Sequence, residues 1–210
     1  MYLKLLFLLF IGAGVFMLVQ VAMPYLAYSS WQVEALDKSS TLVNPLTSPD
    51  QDGISIKEIG NFPAFYSNRE SRSAYDHFYI SIPKIGLTKQ KVLASSNDFE
   101  ATPASLPGTA LPGEKGNVFI TGHSSLPQFA TGNAKATFSK LPGIKKGDEV
   151  LVQAGGLNLT YVVISLRVVD PTEVSVISPP DTIGRYLTLM TCVPPGFNTK
   201  RLIVLTKLKG

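Results

Sequence analysis

The sequence predicts a mainly β protein: a small antiparallel β-barrel with one or two short helices, preceded by an N-terminal transmembrane helix. Three observations carry this. Short apolar and β-branched runs recur from residue 78 to residue 205, punctuated by Gly- and Pro-containing loops. No internal repeat is present, which sets solenoids and propellers aside. Residues 5–23 form an almost unbroken apolar run, with Gln20 its single strongly polar member.

At about 1.5 Å per residue the 5–23 run spans roughly 30 Å, the thickness of a hydrocarbon core. A cleaved signal peptide needs a shorter core and a small-x-small site, and Gln20-Val21-Ala22 and Tyr25-Leu26-Ala27 are poor ones. An uncleaved signal-anchor over 5–27 is the expectation. Lys4 precedes the run while Glu34 and Asp37 follow it, so residues 1–4 are expected in the cytoplasm and the bulk of the chain outside. Met23-Pro24 is expected to end or kink the helix.

Residues 28–75 read as an extracytoplasmic linker, polar from Asp37 to Thr41 and broken by Pro45, Pro49 and Gly53. Its second half carries Ile54, Ile56, Ile59, Phe62, Phe65 and Tyr66, enough apolar surface to dock as a strap. The folded domain is expected over 76–210, long enough to bury its own core. Strands are predicted at 78–82, 87–93, 117–121, 149–154, 157–169, 186–192 and 202–205. Gly155-Gly156 reads as a hairpin turn. Short helical turns are expected near 97–104 and 137–141. His77, at the domain entrance and outside any motif, is expected to be an exposed structural residue.

The formal charge of +4 is spread over many lysines without a dense basic run, which argues against nucleic-acid binding. The chain has one cysteine, Cys192, so no intramolecular disulfide is available. Taken alone, a single cysteine is more often a small core residue than a nucleophile. Here it ends a strand, a Pro194-Pro195-Gly196 loop follows, and Arg201 opens the next strand. Antiparallel pairing of those strands would let thiol and guanidinium share a site. Of the two histidines, His123 ends another apolar strand after Thr121-Gly122. Acyl transfer requires these three parts: a thiolate nucleophile, a proton donor for the leaving amine, and fixed donors for the oxyanion.

Thr-Gly-His at 121–123, Thr-Leu-Met-Thr-Cys at 188–192 and Arg201 together resemble the His/Cys/Arg pattern of sortases, the cysteine transpeptidases of bacterial cell surfaces. The resemblance covers about residues 76–208. The Leu106–Gly113 loop is also similar to the one that precedes the histidine strand in that family. It implies the sortase-type barrel and a thiol-protease reaction at the cell wall. Cys192 would attack an LPxTG-like sorting signal of a surface protein and form an acyl thioester. His123 would serve as proton donor and acceptor, and Arg201 would hold substrate and oxyanion. The acceptor would be an amine, either of a peptidoglycan cross-bridge or of a pilin lysine. Thr191 and Met190, beside the nucleophile, are candidate substrate-binding residues, Met190 being equally a candidate for the core. With ordinary pKa values of about 8.5 for Cys and 6.5 for His, under about 1% of molecules would hold thiolate and imidazolium together at pH 7.

Other features are weighed against the same resemblance. Some pilin-assembling members carry a lid over the active site, usually with an Asp-Pro-aromatic signature, which the 54–75 stretch lacks. Thr191-Cys192-Val193-Pro194 with Gly196, Asn198 and Thr199 looks like the segment of class C-, D- or E-like members. No cofactor is expected. Some members bind calcium through loop carboxylates; here Asp170 and Glu173 are the candidates, but they lack an oxygen-rich cluster around them. The loop 170–182 is expected to help wall the substrate groove. Leu106-Pro107-Gly108-Thr109 imitates a sorting signal but reads as a loop, with no membrane segment and basic end behind it. Two rival readings are an L,D-transpeptidase-like cross-linking enzyme, whose Ser-His-Gly-Cys-like string is missing here, and a non-catalytic membrane-tethered barrel that only binds peptides.

Overall fold

The computed structural model describes residues 2–35, 53–59, 62–70, 73–125 and 136–210. The expected linker over 36–52 and most of the polar loop after Ser125 lie outside these. The chain divides into two compact units, residues 1–35 and 36–210.

The first unit is one helix, α1 (Tyr2–Ala35). Of the two outcomes expected at Met23-Pro24, an end or a kink, the helix does not end there but continues to Ala35. An interior proline costs a helix one hydrogen bond and a ring clash, about 3 kcal/mol, which bends a helix as often as it ends one. Leu6 to Gln20 are all exposed, Phe7, Leu8 and Phe10 among them. Counted over the described residues alone, no helix is long and apolar enough to cross a membrane.

The second unit holds a two-stranded antiparallel hairpin, β1 (Ile54–Ile59) with β2 (Phe62–Ser67), and a closed eight-stranded barrel. The barrel strands are β3 (His77–Ile82), β4 (Leu87–Leu93), β5 (Ala104–Ser105), β6 (Gly116–Thr121), β7 (Glu149–Ala154), β8 (Leu157–Val169), β9 (Arg185–Val193) and β10 (Lys200–Leu208). They close in the order β10-β8-β7-β3-β4-β5-β6-β9. The expectation of a wholly antiparallel barrel needs correction, because β4–β5 and β6–β9 pair parallel. The parallel β6–β9 pair places the ends of both strands at the same end of the barrel.

Helical content in the barrel unit includes 3₁₀ turns at Pro83–Ile85, Leu141–Gly143 and Val174–Ile177. The turn expected near 97–104 is instead irregular chain ending in β5, and Val174–Ile177 falls in what the sequence presented as plain loop. Gly155 and Gly156 have φ of +54° and +80°, which matches the tight β7–β8 hairpin predicted there.

Two packing regimes divide the barrel. On β3 and β7, alternate residues are buried, as a sheet with one wet face requires. On β6 and β9 nearly every residue is buried, and on β10 the run from Arg201 to Val204 is, so the outer face is covered there as well. Phe119, Met190 and Ile203 have the outer-face parity and form one apolar cluster with Phe65 of the hairpin, Leu106, Val176 and Ile177. Asn117 ties the Val174–Ile177 segment to this layer: its amide donates to the Ile177 carbonyl (2.9 Å) and accepts from the Thr188 hydroxyl (2.9 Å).

Candidate active site

Cys192 and Arg201 are direct cross-strand partners in the antiparallel β9–β10 pair. Opposed residues project from the same face of a sheet, so the ladder itself sets thiol beside guanidinium. That face is the outer one, because 192 shares the parity of Met190 and 201 that of Ile203. Phe119, Thr121 and His123 share a parity on β6 and just beyond it, and Thr121 pairs with Met190. The parallel pairing therefore carries His123 to the same end and the same face.

All five residues predicted from the sequence line a single open cleft: His123, Met190, Thr191, Cys192 and Arg201. The cleft measures about 620 Å³, counting the solvent space at its mouth. Residues that sequence reasoning did not single out complete the lining, notably Pro63, Ala64, Phe99, Ser124 and Phe197. No residue of 170–182 is in this lining; Val174, Val176 and Ile177 of that loop pack instead into the apolar layer with Phe65, Phe119, Met190 and Ile203.

The His123 and Cys192 segments are stitched together beyond the last ladder pair. Gly122 donates its N–H to the Met190 carbonyl (3.2 Å), and the Thr191 hydroxyl donates to the Gly122 carbonyl (2.8 Å). The buried Ser124 hydroxyl donates to the Cys192 carbonyl (2.6 Å), while the Ser124 carbonyl accepts from Gly196 N–H (2.9 Å). The His123 ring lies 5.4 Å, centroid to centroid, from the Phe99 ring. Met190 serves two roles at once: it is 4% exposed within the apolar layer and also reaches the cleft.

Arg201 is 3% exposed. Its Nη1 donates to the carbonyls of Asn198 (2.9 Å) and Lys200 (3.1 Å), and its Nη2 donates to the carbonyl of Pro63 (2.8 Å). Burial pushes the Cys192 thiol above its ordinary value, and the Arg201 cation opposes that rise. Burial pulls the guanidinium down, and the thiol opposes that change in turn. The net effect leaves the thiol protonated at neutral pH and the guanidinium, with its very high intrinsic pKa, charged.

The carboxylates weighed for calcium have other engagements. Asp170 pairs with Lys200 at 2.6 Å, and Glu173 accepts from Ser175 N–H at the start of its 3₁₀ turn (3.3 Å). His77 is exposed, its Nε2 3.3 Å from the Tyr79 hydroxyl.

Comparison with known proteins follows the same outline. The sortase domain family model matches residues 80–209. Sortase A of Streptococcus agalactiae serotype III (strain NEM316) is 25% identical over 213 aligned positions, covering 99% of this chain and 84% of that protein. Among solved structures, the pilus-related sortase C of group B Streptococcus is similar at 32% identity and TM-score 0.56, covering 66% of this chain and 70% of its own. The Clostridium perfringens sortase D5 transpeptidase is similar at 25% identity and TM-score 0.55, with coverages of 67% and 83%. With the matched region exceeding half of its length, this chain belongs to the sortase family of cysteine transpeptidases.

Proposed function

We propose that this protein is a membrane-anchored sortase that cleaves an LPxTG-like signal on a surface protein and transfers the acyl part to an amine. The observation that carries this reading is the convergence of Cys192, Arg201 and His123 on one cleft, the first two as direct ladder partners. In the proposed cycle the Cys192 thiolate attacks the carbonyl of the scissile Thr–Gly bond. The oxyanion forms beside Arg201, whose buried charge acts in a poorly solvated site. His123 protonates the departing glycine amine as the C–N bond breaks, leaving an acyl thioester on Cys192. The incoming amine attacks the thioester carbonyl and gives its proton to neutral His123, and the C–S bond breaks to return the Cys192 thiolate beside a protonated His123. Pro63, Ala64 and Met190 present apolar surface to the peptide, and the cycle needs no cofactor. The acceptor amine, of a cell-wall cross-bridge or a pilin lysine, enters from the open side of the cleft.

The anchor is residues 5–27, expected to cross the bilayer with residues 1–4 in the cytoplasm and the barrel outside. What supports it is a 34-residue helix over α1 and the exposed apolar side chains along it. Extraction by detergent but not by alkaline carbonate would agree with a spanning segment; release by carbonate would refute it.

The function is tested with quenched LPxTG-like peptides and an amine acceptor, reading Cys192 by mass spectrometry. An acyl adduct that transfers to the amine, and vanishes in Cys192→Ala, is expected. Peptide binding without any adduct would replace this reading with a binding module. The pH dependence follows from the thiol. Because burial raises its pKa, the thiolate fraction grows with pH later than for an ordinary thiol. Alkylation of Cys192 should therefore reach half its limiting rate above pH ~8.5, the ordinary thiol value. A half-rise near pH 7 would contradict the buried, neutral resting thiol.

A further inference from the structure

The β1–β2 hairpin touches the cleft at the residue that matters most for charge. Arg201 has five N–H groups, and three are directed to backbone carbonyls. Two of those carbonyls, Asn198 in the turn and Lys200 at the start of β10, lie within three residues of Arg201, so they move with it. The third, Pro63, lies 138 residues away, on the β1–β2 hairpin. The remaining donors, at Nε and the second Nη2 position, are left for the thiolate or a substrate carbonyl.

The hairpin is also seated too deeply to be a loose cover. Ala64 is 6% exposed, and Phe65 is 4% exposed, its ring 5.9 Å from the Phe119 ring, centroid to centroid. Past the site, the buried Ser67 hydroxyl donates to the Pro107 carbonyl (2.7 Å). Asn97 grips the Ser67 backbone twice, accepting from its N–H and donating to its carbonyl, both at 2.9 Å. At Gly108, whose φ is +73°, a Cβ would run into the Arg69 side chain, so the hairpin's end lies directly on that backbone. A segment held by an aromatic core residue and a bidentate amide stays in place while peptides enter and leave.

We propose that the β1–β2 hairpin is a permanent wall of the active site and that the Pro63 carbonyl is a positioning group, aiming the Arg201 guanidinium at the reacting carbonyl. Pro63 and Ala64 then also form one side of the peptide channel. This rests on the transpeptidase reading for its consequence but not for its geometry. It differs from a lid in sign: a lid obstructs and its loss raises activity, whereas this wall completes the site and its loss lowers activity.

The test uses full-length protein in detergent and two hairpin variants. One lacks residues 53–70; the other, Asn97→Ala, removes the double grip on Ser67 at a residue that is not in the cleft lining. Each is made with Arg201 retained and with Arg201→Gln, and a thermal melt confirms folding. Alkylation of Cys192 by iodoacetamide across pH reads how strongly the guanidinium acts on the thiol and requires no peptide substrate. In the parent, Arg201→Gln should displace the alkylation profile to higher pH. With the hairpin deleted or loosened, the same substitution should displace it by less than half as much. Cleavage of the best signal peptide should fall at least tenfold on deletion and a few-fold in Asn97→Ala, mainly in kcat. The two changes should be non-additive with Arg201→Gln, as expected of groups acting through one another.

An unchanged Arg201→Gln displacement in the hairpin variants would overturn the proposal, as would a rise in cleavage when the hairpin is removed. If the deletion does not fold, Asn97→Ala decides. A parent that cleaves no peptide refutes the transpeptidase reading alone, because the alkylation comparison still judges the hairpin.

Discussion

The two sides of the cleft are built by opposite means. On one side, Cys192 and Arg201 are set by the β9–β10 ladder, nine positions apart in sequence and joined by a short turn. Their neighbour His123 is held to that ladder by the parallel β6–β9 pair and by Thr191 and Ser124 hydrogen bonds. On the other side, Pro63 and Ala64 reach the same space from a hairpin whose strands pair only with each other. No ladder continues from the hairpin into the barrel, so side-chain packing and a handful of polar contacts hold it. A wall fixed by a ladder resists single substitutions, because each residue is one of many in register. A wall fixed by packing depends on one or two side chains.

The largest effect should therefore come from the packed wall. Phe65→Ala removes the ring that fills the outer layer against Phe119, Met190 and Ile203. A loss of about 3–5 kcal/mol is expected for such a truncation, read as a lowered urea midpoint. A cost below about 1 kcal/mol would mean that the hairpin is not packed as described. Gly122→Ala probes the ladder side at its tightest place. An added Cβ would lie 2.7 Å from Cδ2 of the fully buried Phe138 ring and 3.2 Å from Pro103. Overpacking of this kind costs about 1–3 kcal/mol. The strain falls on the residue just before His123, so peptide cleavage should fall more than stability accounts for. An unchanged midpoint and rate would show that Phe138 can yield. The smallest effect should be Thr191→Val, which keeps shape but removes the donor to the Gly122 carbonyl. About 1–2 kcal/mol is expected for a buried carbonyl left without that partner. No measurable change would place the hold on His123 in Ser124 alone, and Ser124→Ala would then carry the larger penalty.

The comparison also explains how far the sequence could be read. The strands were legible where period-two alternation is written into neighbouring residues, as in 149–154 and 157–169 with the Gly155-Gly156 turn between them. Strand β6 was legible as a buried apolar run and β9 as an alternating apolar and β-branched one, but neither pattern says which neighbour a strand takes. Hence the parallel β6–β9 pairing went unforeseen, although it is what brings His123 to Cys192. The three candidate reactive residues were legible through motif strings, and Thr191 and Met190 through adjacency to Cys192. Phe99, Ser124 and Pro63 carried no such string. Asn198 was within reach of sequence reasoning, three residues before Arg201, though only as part of a segment and not as an acceptor for its guanidinium.

By itself, then, the sequence determined that this is a β-rich domain behind an apolar N-terminal run, and that Cys192, His123 and Arg201 are its candidate reactive set. Those are properties of neighbouring residues: alternation, punctuation by Gly and Pro, and short motif strings. Only the tertiary structure decided that the outer face of β6, β9 and β10 is covered and that the hairpin covers it. It alone decided that a proline carbonyl 138 residues away meets the guanidinium. The physical reason is that a strand's presence follows from the pattern of neighbouring residues, whereas strand pairing and docking depend on the shape and unmet hydrogen-bonding groups of two surfaces, neither of which exists until the chain has folded.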